Sequence, residues 1–438
     1  MLRYVYHCSI NTPMSKNKAK DIKHLGALLV AQSRRMNLFQ QPGITRATTP
    51  SSDSSHERSM LDSWRYVETR KRLAFGIMRA DVYTSVLLNS RPLLSPEEIN
   101  LTVPQSERLW HNDDSLTPRE QLLTLRIEAG MHNQILFSDL LRIMFERDER
   151  APLSQSIGHE LCLFGMQSAL WRFSHDADLF PRLSGTTWST RRPLSRSTVI
   201  EEGSSANSDD LLELDPIDAM NADNIGQIHR NMSDLHSDRD RVEQALAKWH
   251  ESFQSSRKSP GFTKDRDSLM SSLLLWNISH LKLHAPLAQL HDISYRAGEK
   301  RAVSDDAVKQ AREWAETKGA SIATDKALAI CDLISRELSR TIDARACFNF
   351  LAFGGLHHAT VVLWTMSELG GKEECSILAK ARTSSSFASR FENGDTCSLL
   401  LECSKLFKDL SSIGGGSFGT AAEHLSKSQF PAVYGRQL

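Results

Sequence analysis

One stretch of the sequence, residues 64–89, constrains the fold more than any other feature. Its apolar residues recur at the three- and four-residue spacing of an α-helix, and they fall near one face: Trp64, Val67, Phe75, Met78, Val82 and Val86. Leu73, Ile77 and Leu87 add a second apolar face, so we expect the later half of this helix to be buried nearly all round. The pair Arg91-Pro92 then ends it, because a residue before proline avoids helical geometry.

The rest of the chain also has the pattern of helices joined by polar breaks, without a fixed repeat. Capping boxes begin at Ser95 and Thr117, and a clean amphipathic stripe runs from Val242 to Phe253. An apolar segment over 268–295 is broken at Pro286. We therefore predict an all-α fold: an irregular bundle of about a dozen helices in two packed lobes with a disordered polar insert. Further helices are predicted over 20–38, 118–144, 156–174, 303–317, 323–339, 344–368 and 399–410, and a loop over 40–57.

Changes in composition divide the chain into five parts. They are an N-terminal leader (1–19), a first helical lobe (20–180), an acidic and serine-rich linker (181–240), a second helical lobe (241–370) and a Ser/Gly-rich tail with a short helix (371–438). Residues 197–229 contain no Lys or Arg but eight acids. Leu211, Leu212, Leu214 and Ile217 are interleaved with these acids. Such a segment is either a solvated linker or a disordered activation segment that docks its apolar side chains on a partner.

The charge and cysteine counts exclude several classes of protein. The 53 basic and 53 acidic residues cancel, whereas a protein that binds nucleic acid along its whole surface needs a basic excess. The seven cysteines include no CxxC pair, so neither a disulfide framework nor a cysteine zinc site is indicated. No apolar run reaches the length of a membrane span, and residues 1–20 lack the apolar core of a signal peptide. We therefore expect no membrane partner.

Several short motifs suggest chemistry but lack the context that the chemistry needs. Gly414, Gly416 and Gly419 spell GxGxxG, but a predicted helix rather than a strand precedes them. His280, His284 and His291 share one ideal helical face and could hold zinc, but Pro286 interrupts that helix. His357 and His358 are adjacent, so we expect them not to share a face. We interpret these five histidines as core residues and the glycines as a loop.

The acids over 209–213 are similar to the magnesium motif of all-α isoprenoid synthases, which would clamp a diphosphate. They lie in the polar insert and have no second acidic motif in a later helix. An enzyme of that type, or a helical interaction scaffold, is the alternative interpretation of the chain.

Asp81 lies among apolar residues of the 64–89 helix, where an unpaired carboxylate would be costly. We expect it to be a structural anchor paired with Arg72 or Arg91.

The same helix carries a recognisable string of residues. The string begins with Trp64, Glu68, Arg72, Leu73, Phe75 and Asp81 and continues through Pro92, Pro104, Leu109 and Trp110. It resembles the signature of the fungal-specific transcription factor domain, or middle homology region, and most of all its Cys2His2-finger members. The resemblance implies a non-catalytic regulator of RNA polymerase II transcription in the nucleus. In this interpretation the ten residues are structural.

The chain departs from that family in having no zinc-finger spacing anywhere, although a finger needs two cysteines and two histidines around tetrahedral zinc. The sequence therefore predicts no cofactor in this chain, no DNA-binding residue in it, and zinc only in a DNA-binding module that is missing or upstream. The partners that the resemblance implies are DNA through that module, transcriptional co-regulators, a second copy of the chain and a small-molecule effector.

Overall fold

The structure is a computed structural model that describes residues 13–41, 54–88, 91–105, 110, 117–131, 135–146, 156–175, 238–258, 266–298, 301–341, 344–369 and 396–413. Within these ranges the regular elements are helices, joined by one 3₁₀ turn at Pro96–Glu98 and by isolated β-bridges. The predicted all-α class is therefore confirmed. No helix in the same ranges combines the length and the apolar character needed to cross a bilayer.

The helices are numbered along the chain. The part before the polar insert contains α1 (Pro13–Arg35), α2 (Ser54–Leu88), α3 (Pro118–Met131), α4 (Phe137–Phe145) and α5 (Ser156–His175). The part after it contains α6 (238–256), α7 (Arg266–His284), α8 (Leu287–Gly298), α9 (Asp305–Ala315), α10 (Lys318–Leu338), α11 (Phe350–Leu369) and α12 (Thr396–Ile413).

Two helices, α7 and α11, form the centre of the bundle. Helix α7 packs along α5, α10 and α11, and α11 also contacts α2, α8, α9 and α12. Their side chains explain this position, because apolar residues occur on all sides of α11 and nearly all of α7 from Met270 to His284 is buried. Buried residues from both predicted lobes consequently form one continuous core.

The amphipathic stripe predicted after the insert is confirmed in α6. Val242, Ala245, Leu246, Trp249 and Phe253 are all buried. The indole of Trp249 stacks on Phe253 at 4.7 Å and donates a hydrogen bond to the His159 carbonyl of α5. The proline break is confirmed as well, since α7 ends at His284 and α8 begins at Leu287.

Other boundaries differ from the prediction. Helix α2 begins at Ser54, so the final residues of the predicted 40–57 loop are helical, and it extends through 35 residues. The helical run predicted over 118–144 forms two helices, α3 and α4. Leu73, predicted to be buried, is 55% exposed.

An extended segment, residues 91–105, crosses the first part of the fold without regular helix. We call it the strap. Its central residues Ile99 and Leu101 are fully buried. Its backbone forms hydrogen bonds with the segment after α1 and with the start of α4. The amide of Asn100 donates to the carbonyl of Phe39 just after α1, and the carbonyl of Leu101 accepts from the first amide of α4, that of Phe137. The strap therefore connects the end of α1 with the start of α4.

Candidate functional site

A buried carboxylate, Glu68, is the centre of the signature segment on α2. Its side chain is 1% exposed, and its Oε2 lies 3.7 Å from the ammonium of Lys71, which is also buried. Its Oε1 accepts a hydrogen bond of 2.8 Å from the backbone amide of Gln105 and lies 3.3 Å from Nε of Arg72. Burial lowers the pKa of Lys71, and the Glu68 carboxylate opposes this effect.

Gln105, at the end of the strap, completes the cluster. Its side-chain carbonyl accepts a bond of 2.9 Å from the indole of Trp64, and its backbone carbonyl accepts one of 2.9 Å from Arg72. The Arg72 guanidinium also lies 4.8 Å from the ring centre of Trp110. Trp64, Glu68 and Arg72, at four-residue intervals on α2, therefore all contact Gln105, and Arg72 also contacts Trp110.

Asp81 holds the other end of the strap, with partners that differ from those predicted. Its Oδ2 accepts hydrogen bonds from the backbone amides of Leu93 and Leu94, at 2.8 and 2.9 Å, and not from Arg72 or Arg91. Two amides can satisfy a carboxylate without a second buried charge, which explains the difference. The pKa of Asp81 is raised by burial, while the two amides act in the opposite direction.

The remaining signature residues pack or lie at the surface. Phe75 meets Phe137 of α4 edge to face at 5.1 Å, and Pro92 and Pro104 of the strap are buried. Leu73 is exposed. Leu109 lies outside the described residues, as do the candidate activation residues Leu211, Leu212, Leu214 and Ile217.

Glu68 and Asp81 bind the two ends of the strap through its backbone amides. The two carboxylates belong to one helix and are 13 residues, or about 20 Å, apart along its axis. We call these two carboxylates and the amides that they bind the clamp. The buried charges face each other or backbone amides, which favours holding segments together over acting on a substrate.

Comparison with known proteins gives one match. Residues 33–168 match the family model described as the fungal specific transcription factor domain. No curated protein and no solved structure matches the chain.

The match begins near the end of α1 and ends within α5, so the fungal specific transcription factor domain contains α2, the strap and the whole clamp. Such a domain implies a fungal transcription regulator, and the family is regulatory rather than enzymatic. The match does not extend to α6–α12, although these helices share the domain's core.

A cleft of about 610 Å³ lies where α4 and α5, mostly within the matched region, meet the start of α6. Both apolar and charged side chains line it. The apolar ones are Phe145, Ala169 and Val242, and the charged ones include Asp139, Arg142, Asp238 and Arg241. Its volume suits a small ligand.

The histidines singled out in the sequence fall into two separate groups. His280 and His284 stack on each other along α7 at 5.9 Å, and burial lowers their pKa values to about 3 and about 4. His291 of α8 instead lies 2.8 Å from Nδ1 of His358 and stacks on His357. His291 therefore contacts both His357 and His358, although these two are adjacent on α11. Across the described ranges no three potential ligands are arranged to hold a metal ion.

The remaining sequence motifs cannot be placed. The glycines 414–419 and the acids 209–213 lie outside the described residues.

Sequence reasoning missed three features of this region. Gln105 gave no signal, since a glutamine in a polar stretch is not distinctive. Lys71 is one of several basic residues in its turn. Lys282 is buried on α7 with Gln167 as its hydrogen-bond acceptor at 3.3 Å, and burial lowers its pKa to about 8. Its position on an apolar helix, among residues that are nearly all buried, was the available clue.

Proposed function

We propose that this chain is the regulatory, non-catalytic region of a fungal transcription factor that controls RNA polymerase II genes in the nucleus. The match of residues 33–168 to the fungal specific transcription factor domain carries the proposal. The clamp supports it, because the charged signature residues bind one another or the strap.

In this proposal DNA and zinc are engaged by a module other than the residues of this chain. The described residues do not fit a zinc site, since they include no suitable group of ligands. The helical body would respond to co-regulators, to a second copy of the chain or to a small effector. The cleft between α4, α5 and α6 is where we place such an effector, because it combines apolar walls with charged groups of both signs.

A reporter assay tests the proposal. The full chain is fused to an unrelated DNA-binding module and expressed in yeast with a reporter gene that carries the module's site. We expect reporter transcription to differ from that with the DNA-binding module alone. Unchanged transcription, with the fusion intact and present in the nucleus, would contradict the proposal.

A second variant tests the candidate activation segment. Leu211, Leu212, Leu214 and Ile217 are replaced together by Ala, which leaves all eight neighbouring acids in place. If these residues dock on a co-regulator, activation falls towards the level of the DNA-binding module alone. The matched control replaces the acids by Asn or Gln and keeps the apolar residues. Full activation by the alanine variant would assign the segment a linker role.

A further inference from the structure

Helix α1 has a covered side and an exposed apolar side. Its inner face packs on the fold through Val30 and Ser33, which are buried. Its exposed side carries Leu25, Leu28 and Leu29, which are 52%, 54% and 37% exposed. Their i, i+3, i+4 spacing aligns them along one side of the helix. Burial against the described residues does not account for three leucines in that arrangement.

The exposed apolar surface continues beyond α1. Eight of the nine large apolar side chains that are exposed in the described ranges belong to α1, to the turn after it, to α2 or to the strap. Apart from Met60, near the start of α2, they are Leu25, Leu28, Leu29, Met36, Tyr66, Leu73 and Leu93. Contacts join these elements. Arg70, between Tyr66 and Leu73 on α2, donates hydrogen bonds to the carbonyls of Met36 and Asn37. A Cβ at Gly26 would lie 3.9 Å from Leu93. We call these seven residues the outer face.

The outer face is held in a fixed position. Asn37, at φ 48°, ends α1, and the amide of Leu38 reaches back to the carbonyl of Ser33. Arg34 forms two hydrogen bonds to Glu98 of the strap, at 2.6 and 2.8 Å. A partner would therefore meet a preformed surface and would not have to order it.

Charge indicates which kind of partner fits. The sequence of α1 contains one acid, Asp21, and six basic residues: Lys16, Lys18, Lys20, Lys23, Arg34 and Arg35. A second copy of the chain would place two such helices against each other, and their like charges would repel. An acidic helix with its own apolar stripe would complement both the leucines and the basic residues.

We propose that the outer face binds an acidic amphipathic helix of a partner protein. The apolar side chains of that helix would cover Leu25, Leu28 and Leu29, and its carboxylates would pair with basic residues of α1, including the exposed Arg35. This proposal does not depend on the proposed function, because it concerns binding in solution.

Fluorescence anisotropy with model peptides tests it. The probe is a labelled helical peptide of about 20 residues, long enough to be helical alone, with leucines at i, i+3, i+4 and i+7 and glutamates on its other faces. One control peptide has the same composition in scrambled order, and another replaces each glutamate by lysine. The full chain should bind the acidic amphipathic peptide alone, more weakly as salt increases.

Matched variants locate the binding site. Leu25→Ser with Leu28→Ser should weaken peptide binding about tenfold or more, and Arg35→Glu should weaken it at low salt. The controls are Leu123→Ser and Arg126→Glu on α3, which are also exposed and should leave binding unchanged. Because all the replaced side chains are exposed, thermal unfolding should be nearly unaltered in every variant.

Three results would overturn the proposal. The first is equal binding of the scrambled or lysine peptide. The second is a dimeric mass of the wild-type chain in sedimentation that becomes monomeric with Leu25→Ser and Leu28→Ser, which would assign the surface to a second copy. The third is peptide binding only when the eight acids between residues 201 and 223 are neutralised, which would assign it to the chain's own acidic segment.

Discussion

Replacement of Glu68 by glutamine tests the clamp most directly. The change keeps the size of the side chain but removes its charge, so the buried ammonium of Lys71 loses its counter-ion. The Glu68 side chain is 1% exposed and that of Lys71 is 8% exposed, so solvent screens the pair little. Removal of one partner from a buried ion pair costs about 3–5 kcal/mol. We expect a loss near the lower end, since the neutral glutamine carbonyl can still accept the Gln105 amide, although more weakly than the carboxylate does.

Urea denaturation, followed by circular dichroism, gives the change in unfolding free energy from the shift in midpoint at constant slope. The matched control is Glu146→Gln. Glu146 also pairs with an arginine four residues away, but the side chains of Arg142 and Glu146 are 54% and 37% exposed. Exposed pairs of this kind contribute less than about 1 kcal/mol.

Two further measurements separate the clamp from a general loss of packing. Hydrogen exchange of the Gln105 amide should accelerate in Glu68→Gln while the Leu94 amide, bound to Asp81, stays protected. Addition of Lys71→Met to Glu68→Gln should recover part of the stability, because the unpaired buried charge is gone. Two results would refute the reasoning. One is a decrease in unfolding free energy as small as that of Glu146→Gln. The other is an equal acceleration of hydrogen exchange at the Gln105 and Leu94 amides.

Three further predictions use the same denaturation assay. Asp81→Ala should lower the unfolding free energy by about 2–4 kcal/mol, since two amides lose their acceptor, whereas Asp81→Asn should cost less than half of that; equal losses would contradict the amide bonds. Burial lowers the pKa of His280 from 6.5 to about 3. Below pH 6.5 the unfolded chain therefore takes up a proton that the folded chain does not. As a result, the free energy of unfolding decreases as the pH is lowered from 6.5 towards 3. His280→Phe should remove that fall and gain about 2 kcal/mol at pH 5 relative to its effect at pH 8; a gain independent of pH would exclude titration. Gly165→Ala should cost about 1–3 kcal/mol, because its Cβ would lie 2.6 Å from Leu141. Gly76→Ala on α2, with open space around it, should instead stabilise by about 0.5–1 kcal/mol.

Local patterns in the sequence predicted most of the helices. The apolar stripe of α6 was predicted from the spacing of its apolar residues, and the break between α7 and α8 from the geometry of Pro286. Both signals depend only on residues within one or two helical turns. The start of α2 at Ser54 was missed because its first residues, Ser-Ser-His-Glu-Arg, are polar and carry no periodicity. Tertiary context, rather than propensity, determines such a helix end.

The clamp could be predicted only in part. A carboxylate at position 81 among apolar neighbours indicated a buried anchor, and that inference was right about burial. Its partners were wrong because the sequence does not show that the strap folds back to place two amides beside α2. Glu68 and the Gln105 amide are 37 residues apart, and no local pattern connects a carboxylate to a backbone amide at that distance. Leu73 shows the converse limit, since periodicity marks an apolar face but does not show whether another element covers it.

The clamp also bears on why a regulatory body would retain buried charges at all. A well-packed apolar core is often as stable as a buried ion pair or more so, so stability alone does not favour Glu68 and Lys71. What the two carboxylates specify is position, because each binds the backbone at one end of the strap. The strap in turn sets α1 through Arg34 and Glu98, and α4 through Leu101 and Phe137. The outer face of α1 and the cleft beside α4 are therefore positioned by the same element.

A change that loosens one end of the strap should thus alter binding at the outer face before it unfolds the chain. Weaker binding of the acidic peptide to Glu68→Gln, under conditions where that variant is still folded, would reveal this coupling, and unchanged affinity would exclude it.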